Sequence, residues 1–308
     1  MGNDSRVLLF FIDGLGIGTR GPHNPFDGLS DAAPLAIFQE DFVGAARDRA
    51  GTSPAPTIPF EGIVVPTDAC LGIEGRPQSA SGQTTILTGV NAPKIIGAHK
   101  QGFPNQPLLD IIREHSIFLQ LKNKGIESIT FANTYTNRFF EQRPRWISAT
   151  TAAVEAAGLR FNVVEDLRAG RAVFHDFTNA MLPERGESAD LRTPEEAGRV
   201  LAAIASSHRF TLYEYFITDK VGHAQDYEEA RRVLPKLALL IRTLLANLDL
   251  TTTTVMLTSD HGNIEDLSVR NHTLNPVPTI IWGQHRRLGS ERISNLADIT
   301  PAIVEMLT

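Results

Sequence analysis

Arg6-Val7-Leu8-Leu9-Phe10-Phe11-Ile12-Asp13-Gly14-Leu15-Gly16 is the stretch from which the fold is read. Seven residues, mostly aliphatic and aromatic, run without the polar alternation of a half-exposed strand. They therefore predict a strand buried on both faces, as in a parallel sheet covered by helices on either side. The run stops abruptly at a carboxylate and a glycine, so Asp13 is expected at the carboxyl edge of the sheet, where open α/β sheets bind ligands.

Outward from this strand the pattern repeats. Phe210 to Ile217 reads as a strand followed closely by Asp219, and Thr253 to Thr258 as a strand running into Asp260-His261-Gly262. Val277 to Trp282 is a further strand beginning just after His272, and Ser128 to Ala132 another. Between them lie helical stretches: Ser79 to Thr88, Gln106 to Lys124 closed by Gly125, Thr151 to Ala157, Asp226 to Leu248 with a kink expected at Pro235, and Asn295 to Leu307. Thr193-Pro194-Glu195-Glu196 carries an N-cap, a proline at the first helical position and a glutamate at the third, which marks a helix start. Strands alternating with helices predict an α/β sandwich with a mainly parallel central sheet. The stretch from Ile17 to Pro66, rich in Gly, Pro and Asp, reads as a surface excursion with a short helix near Ala33 to Arg49. Residues 158–192 are mixed and loop-rich, which places a small cap or lid within 134–192.

At 308 residues the chain suits one large core with a modest insertion, residues 1–308 forming a single domain. Apolar content of 42% and charged content of 21% are ordinary for a globular protein. A net charge of -6 with no basic stripe excludes nonspecific attraction to nucleic acid or an anionic membrane. Cys70 is the single cysteine, so an intrachain disulfide and a thiolate metal cluster are both excluded. The apolar run Val7 to Ile12 is too short for a secretory core, and no segment approaches the roughly 20 apolar residues of a membrane span. A cytoplasmic location is the expectation.

Three carboxylates at strand ends, Asp13, Asp219 and Asp260, would repel one another strongly unless a cation or protons neutralised them. Histidines stand beside them in Asp219-Lys220-Val221-Gly222-His223, Asp260-His261-Gly262-Asn263 and His272-Thr273. Oxygen and imidazole nitrogen together are a divalent-metal donor set. Asp260 and His261 could face one ion only where the backbone leaves the strand, which Gly262 permits. An Asp after a strand is also a common helix cap or turn residue, so the set of six carries the reading rather than any member. Arg76-Pro77-Gln78-Ser79-Ala80-Ser81-Gly82-Gln83 adds a hydroxyl. At a helix start, Ser79 sits among free backbone N–H groups and the positive end of the dipole, suited to an alkoxide and a phosphate. The alternative is that Ser79 or Ser81 only caps the helix.

The order Asp13, Ser79, Asp219-x-x-x-His223, Asp260-His261, His272 resembles the alkaline phosphatase superfamily, in particular the metalloenzyme domain of cofactor-independent phosphoglycerate mutases and phosphopentomutases. The resemblance runs from the first strand to the last helix. It implies an alkaline phosphatase-like three-layer sandwich and two divalent metal ions, Mn²⁺ or Zn²⁺. One ion would fall to Asp219, His223 and His272, the other to Asp13, Ser79, Asp260 and His261, with Ser79 as the nucleophile toward a small phosphorylated substrate. The C/S-x-P-x-R context of sulfatases is missing, since Ser81 follows Ala80. Only about 140 residues separate Ser79 from Asp219, which leaves no room for the large inserted domain of the mutases. A phosphomonoester hydrolase or mutase-like enzyme is expected, with a phosphodiesterase or nucleotide pyrophosphatase, or a silent metal-binding module, as the alternatives. Arg76, Asn91, His99, Lys100 and Lys220 are the candidates for substrate binding.

Overall fold

The computed structural model describes residues 4–27 and 57–308. The helix expected near Ala33 to Arg49 lies outside the described residues. Among the described residues nine strands form two sheets: β1 Arg6–Ile12, β2 Thr57–Ile58, β3 Gly62–Thr67, β4 Ile129–Phe131, β5 Thr134–Tyr135, β6 Asn162–Val163, β7 Phe210–Tyr215, β8 Thr253–Thr258 and β9 Val277–Gly283. The main sheet has the order β2-β3-β9-β8-β1-β7-β4. Strand β1 lies at its heart, parallel to β7 on one side and β8 on the other.

Burial on both faces of β1 is what the sequence predicted, and the packing shows its use. Leu8, Phe10 and Ile12 enter one core, under the helices Pro194–Ser207 and Tyr227–Ala246. Val7, Leu9 and Phe11 enter the other, under the helices Ser79–Thr88, Ala149–Ala156 and Ile299–Leu307. Strict alternation between two apolar cores makes three layers, helix on sheet on helix. Truncating a fully buried ring such as Phe10 to alanine costs about 3–5 kcal/mol.

Five strands of the main sheet run in one direction. Strands β9 and β2 oppose them, because β8–β9, β9–β3 and β3–β2 pair antiparallel. Local pattern carries no information about a neighbour's direction. Strand β3 itself lies within the stretch read as a surface excursion, where Val64 and Val65 are buried in the core. The expected helix from Gln106 to Lys124 is two, Gln106–His115 and Ile117–Asn123, since Ser116 adopts ψ 140 and its hydroxyl accepts from the Leu119 N–H to start the second. Such local hydroxyl caps compete with helix continuation. Helix Tyr227–Ala246 runs through Pro235 as one element, with Asp226 as its N-cap. The C-terminal helix starts at Ile299, after a 3-10 turn over Leu296–Asp298.

Thr193 accepts from the Glu196 N–H while Glu196 accepts from the Thr193 N–H, the reciprocal cap predicted for that helix. In the 134–192 interval β5 and β6 form a separate two-stranded parallel sheet, but helix Ala149–Ala156 packs into the main core.

Candidate metal centre

Asp13 follows β1 by one residue and Asp260 follows β8 by two. The parallel register sets Phe11 beside Thr258, so both carboxylates reach the same end of the sheet. Beyond Thr258 the backbone has left the strand, and Asp260 and His261 face one place, with His261 Nε2 3.5 Å from Asp260 Oδ2 and 3.4 Å from Asp13 Oδ1. The second group forms beside it. The strand expected to reach Ile217 stops at Tyr215, and the helix Ile217–Ala224 begins there. Asp219 and His223 therefore stand one helical turn apart on the same face, His223 Nε2 lying 3.4 Å from Asp219 Oδ2. His272 comes from the loop before β9, tied back by the Thr273 N–H donating to Gly262 O. Its Nε2 is 3.7 Å from Asp219 Oδ1 and 3.2 Å from His223 Nε2.

Close approach decides the residue at two positions. Gly14 has φ +72, and a Cβ there would sit 2.8 Å from Asp219. A Cβ on Gly82 would come within 3.0 Å of the Asp260 backbone. Glycine at both lets β1 and helix Ser79–Thr88 close onto the ligating loops.

Ser79 is the first residue of its helix and does not cap it. Gln78 precedes it in extended conformation with no side-chain cap. Its Oγ instead lies 2.9 Å from His261 Nε2. Ser81 has the structural role: its hydroxyl donates to Gln78 O and accepts from the Lys100 N–H. One turn after Ser79, Gln83 donates to Asp13 Oδ2 at 3.3 Å and to Asp260 Oδ2 at 3.2 Å, which eases the repulsion between the two.

That repulsion is large. Burial, then the carboxylates of Asp260 and Asp219, push Asp13 well above the carboxylate range. Burial and then Asp219 push Asp260 up in the same way. Burial, then the neighbouring His272, holds His261 well below the ordinary imidazole value, and burial lowers His272. The rings of His261 and His272 stack 3.5 Å apart. Neutral imidazoles beside carboxylates that cannot all ionise are an environment short of positive charge.

The donor set fits divalent cations. His272 Nδ1 donates to Pro77 O and His223 Nδ1 to Arg270 O, each at 2.8 Å. These bonds fix the tautomer and leave both Nε2 lone pairs aimed at Asp219. Asp13 Oδ1 is buried without a hydrogen-bond partner, and such an oxygen calls for a cation. Each trio, Asp13–Asp260–His261 and Asp219–His223–His272, has its donor atoms within 4.8 Å of one another.

Two cavities meet here. The larger, about 720 Å³, is lined at one end by Asp13, Ser79, Gln83 and Asp219, and includes Lys220. The smaller, about 640 Å³, shares Ser79 and Asp219 and is bordered by Arg76, His223 and His272. Asn91, His99 and Lys100 line neither. Asn91 caps helix Ala92–Ile96 and donates to Leu71 O, His99 Nε2 lies beside Ile73 O, and Lys100 Nζ donates to Gln101 O.

The sequence reading missed several residues. Gln83 is one turn from Ser79, so helical spacing could have found it. Asn263, which donates to Asp219 Oδ1 at 2.8 Å, lies two residues past His261. Glu265 is buried and accepts from the Gly16 and Asn263 N–H groups, the Thr273 hydroxyl and the Asn275 amide. It knots the loops that carry the ligating residues. Nothing local marks it.

The fold is the α/β sandwich with a mainly parallel central sheet that the sequence resemblance implied, and its donor set is of the kind that holds divalent cations. Residues 178–308 match the family model of the Metalloenzyme superfamily. The 2,3-bisphosphoglycerate-independent phosphoglycerate mutase of Ehrlichia canis (strain Jake) is 28% identical over 150 residues, 44% of this chain and 29% of that protein. The corresponding mutase of Mycoplasma genitalium is 32% identical over 104 residues, 32% of this chain and 20% of that protein. The chain thus spans under a third of the length of these curated relatives. A cold-active alkaline phosphatase from Shewanella sp. superposes with TM-score 0.51 at 12% identity, covering 100% of both chains. The lipoteichoic acid synthase of Listeria monocytogenes does so with TM-score 0.51 at 11% identity, over 99% of this chain and 72% of that one. These two share the fold. Among the described residues no helix is long and apolar enough to cross a membrane.

Proposed function

We propose that this chain is a metal-dependent phosphoryl-transfer enzyme working through a phosphoserine on Ser79, with two divalent ions, Mn²⁺ or Zn²⁺. Asp13, Asp260, His261 and Ser79 would hold one, and Asp219, His223 and His272 the other. The observation that carries this reading is the Ser79 hydroxyl, free of any capping role, beside His261 Nε2 where two cation-ready trios meet. Bound there, the ions would supply positive charge for the equatorial phosphoryl oxygens and lower the pKa of Ser79.

The chain's own groups do the rest. Ser79 loses its proton and its Oγ attacks phosphorus in line, and the ester oxygen departs as the alcohol, taking a proton. Water, or a second alcohol, then breaks the phosphoserine bond and restores the hydroxyl. Gln83 holds Asp13 and Asp260 in place, Asn263 holds Asp219, and the carbonyls of Pro77 and Arg270 orient His272 and His223. Arg76 and Lys220 border the two cavities and are the cations for substrate oxygens. A phosphomonoester is the substrate read here, its organic part in the larger cavity. A phosphodiesterase is the second reading, because the smaller cavity also opens on Ser79 and offers room for a second ester arm.

The test compares wild type with Ser79→Ala, each supplied with Mn²⁺ or Zn²⁺, on p-nitrophenyl phosphate and bis(p-nitrophenyl) phosphate. Equal metal content with activity lost only in the variant is expected. Metal binding with no turnover of a panel of phosphate esters by wild type would leave a silent metal-binding module.

A further inference from the structure

The larger cavity is far roomier than a phosphate group requires. At about 720 Å³ it falls in the range that encloses a drug-sized ligand. Away from Ser79 its walls are aromatic, with Phe131, Tyr135, Phe139 and Phe216 among them. The Tyr135 and Phe139 rings lie 4.8 Å apart, and Tyr135 is pinned through its hydroxyl to Thr151 at 2.9 Å. Lys220 Nζ sits 4.8 Å over the Phe216 ring. Tyr135 and Phe139 are thus held in the cavity wall, whereas the Phe216 ring is already covered by Lys220 and by the His175 ring stacked 4.5 Å from it; aromatic rings fixed in a cavity wall are what a flat ligand group covers.

One carboxylate stands among them. Glu214, on β7, has its backbone clamped by Asn133, whose Oδ1 accepts from the Glu214 N–H at 2.9 Å and whose amide donates to the Glu214 carbonyl at 2.8 Å. Its Oε2 accepts from the Thr150 hydroxyl at 2.6 Å. No described residue donates to Oε1, and no described cation pairs with the group. A carboxylate so oriented, lining the cavity with one oxygen unspent, is an acceptor built for a ligand's N–H.

We propose that this cavity selects phosphate monoesters whose organic part ends in a flat ring bearing an N–H donor, the ring against the Tyr135 and Phe139 wall and the donor on Glu214 Oε1. The assignment rests on the phosphoryl-transfer reading for the placement of the phosphate, while the ring site stands on the cavity walls alone.

The probes are cytidine 5′-monophosphate, 1-(β-D-ribofuranosyl)pyrimidin-2-one 5′-monophosphate and glycerol 3-phosphate. The two nucleotides differ by an amine against a hydrogen on the same ring, so only the first bears an N–H donor. In Mn²⁺-loaded protein kcat/KM is expected to be highest for the cytidine ester, about tenfold above the pyrimidinone one, with glycerol phosphate lowest. Phe139→Ala should raise KM about tenfold for both nucleotides and leave glycerol phosphate unchanged. Glu214→Gln should remove only the preference for cytidine. Calorimetric binding of both nucleotides to metal-loaded Ser79→Ala, alone and combined with Phe139→Ala or Glu214→Gln, repeats the comparison without turnover. Ring-dependent binding with no turnover of any ester would sink the phosphoryl-transfer reading and keep the ring site. Turnover without ring preference, or preferences that both variants leave intact, would overturn the ring site alone.

Discussion

The two trios that flank Ser79 are built from the same kinds of residue and yet differ in physical character. Asp13, Asp260 and His261 come from the ends of two adjacent parallel strands, and their side chains are 12%, 0% and 0% exposed. Asp219, His223 and His272 come from one helical turn and a distant loop, with His223 42% exposed. The buried trio crowds two carboxylates together where water cannot screen them. The open trio has one carboxylate and two imidazoles already oriented by carbonyls, and water reaches it. A site of the first kind depends on its cation for a tolerable electrostatic energy, whereas one of the second kind tolerates its absence. The buried ion should therefore be the tighter and slower to exchange.

The largest effect tests the point the trios share. Ser79→Ala is expected to lower kcat by about 10⁴-fold or more while both ions stay bound, as read by phosphate release and metal analysis. Next in size, Asp260→Asn should abolish binding of one ion and lower activity by about 10³-fold. His223→Ala should weaken the other ion only about 10–100-fold and recover at raised metal concentration. Equal losses, or recovery of both variants with metal, would break the contrast between the trios.

A pH series sharpens it. The carboxyls of Asp13 and Asp260 are raised in the folded protein, so the stability they allow is complete below the ordinary carboxylate range and is lost as pH climbs through their raised values. In metal-free protein the stability of wild type relative to Asp260→Asn should accordingly fall as pH rises, the comparison cancelling the opposite pull of the depressed His261 and His272. The rise in Tm on adding Mn²⁺ should grow over the same interval. A metal increment that does not change with pH would contradict the charge deficit assigned to the buried trio.

The smallest effect belongs to a carboxylate outside both trios. Burial raises Glu214 to about 6 from 4.5, so its contribution is intact below about pH 4.5 and lost by about pH 6. Between those values wild type should lose on the order of 1–2 kcal/mol relative to Glu214→Gln, measured as the pH dependence of the difference in unfolding free energy. A constant difference would place Glu214 in water rather than in the wall of the cavity.

Much of this was legible from the chain alone, because it is written in short-range pattern. Unbroken apolar runs such as Val7 to Ile12 and Thr253 to Thr258 declare strands covered on both faces. The Asp or Asp-His that ends them declares a ligand edge, and the spacing of Asp219 and His223 needs only one helical turn to become a pair. Arg76 and Lys220, two of the candidates for substrate, each border a cavity. Other features had no such signature. The antiparallel sense of β9, the core strand β3 within a Gly- and Pro-rich stretch and the break at Ser116 depend on which neighbours a segment meets. Asn91, His99 and Lys100 looked as suitable for a substrate as Arg76, and they went to a helix cap, a loop and a backbone carbonyl.

Residue type and periodicity thus settled the layers and the donor groups at the strand ends, since each depends on intervals of two to four residues. Which hydroxyl stands free, which carboxylates share a place, and that Gln83, Asn263, Glu265 and Glu214 support or line the site were decided only by tertiary packing. Those relations join atoms as much as 250 residues apart, as Gly16 and Glu265 show at a separation of 249, and chain closure over such distances leaves no mark on local sequence.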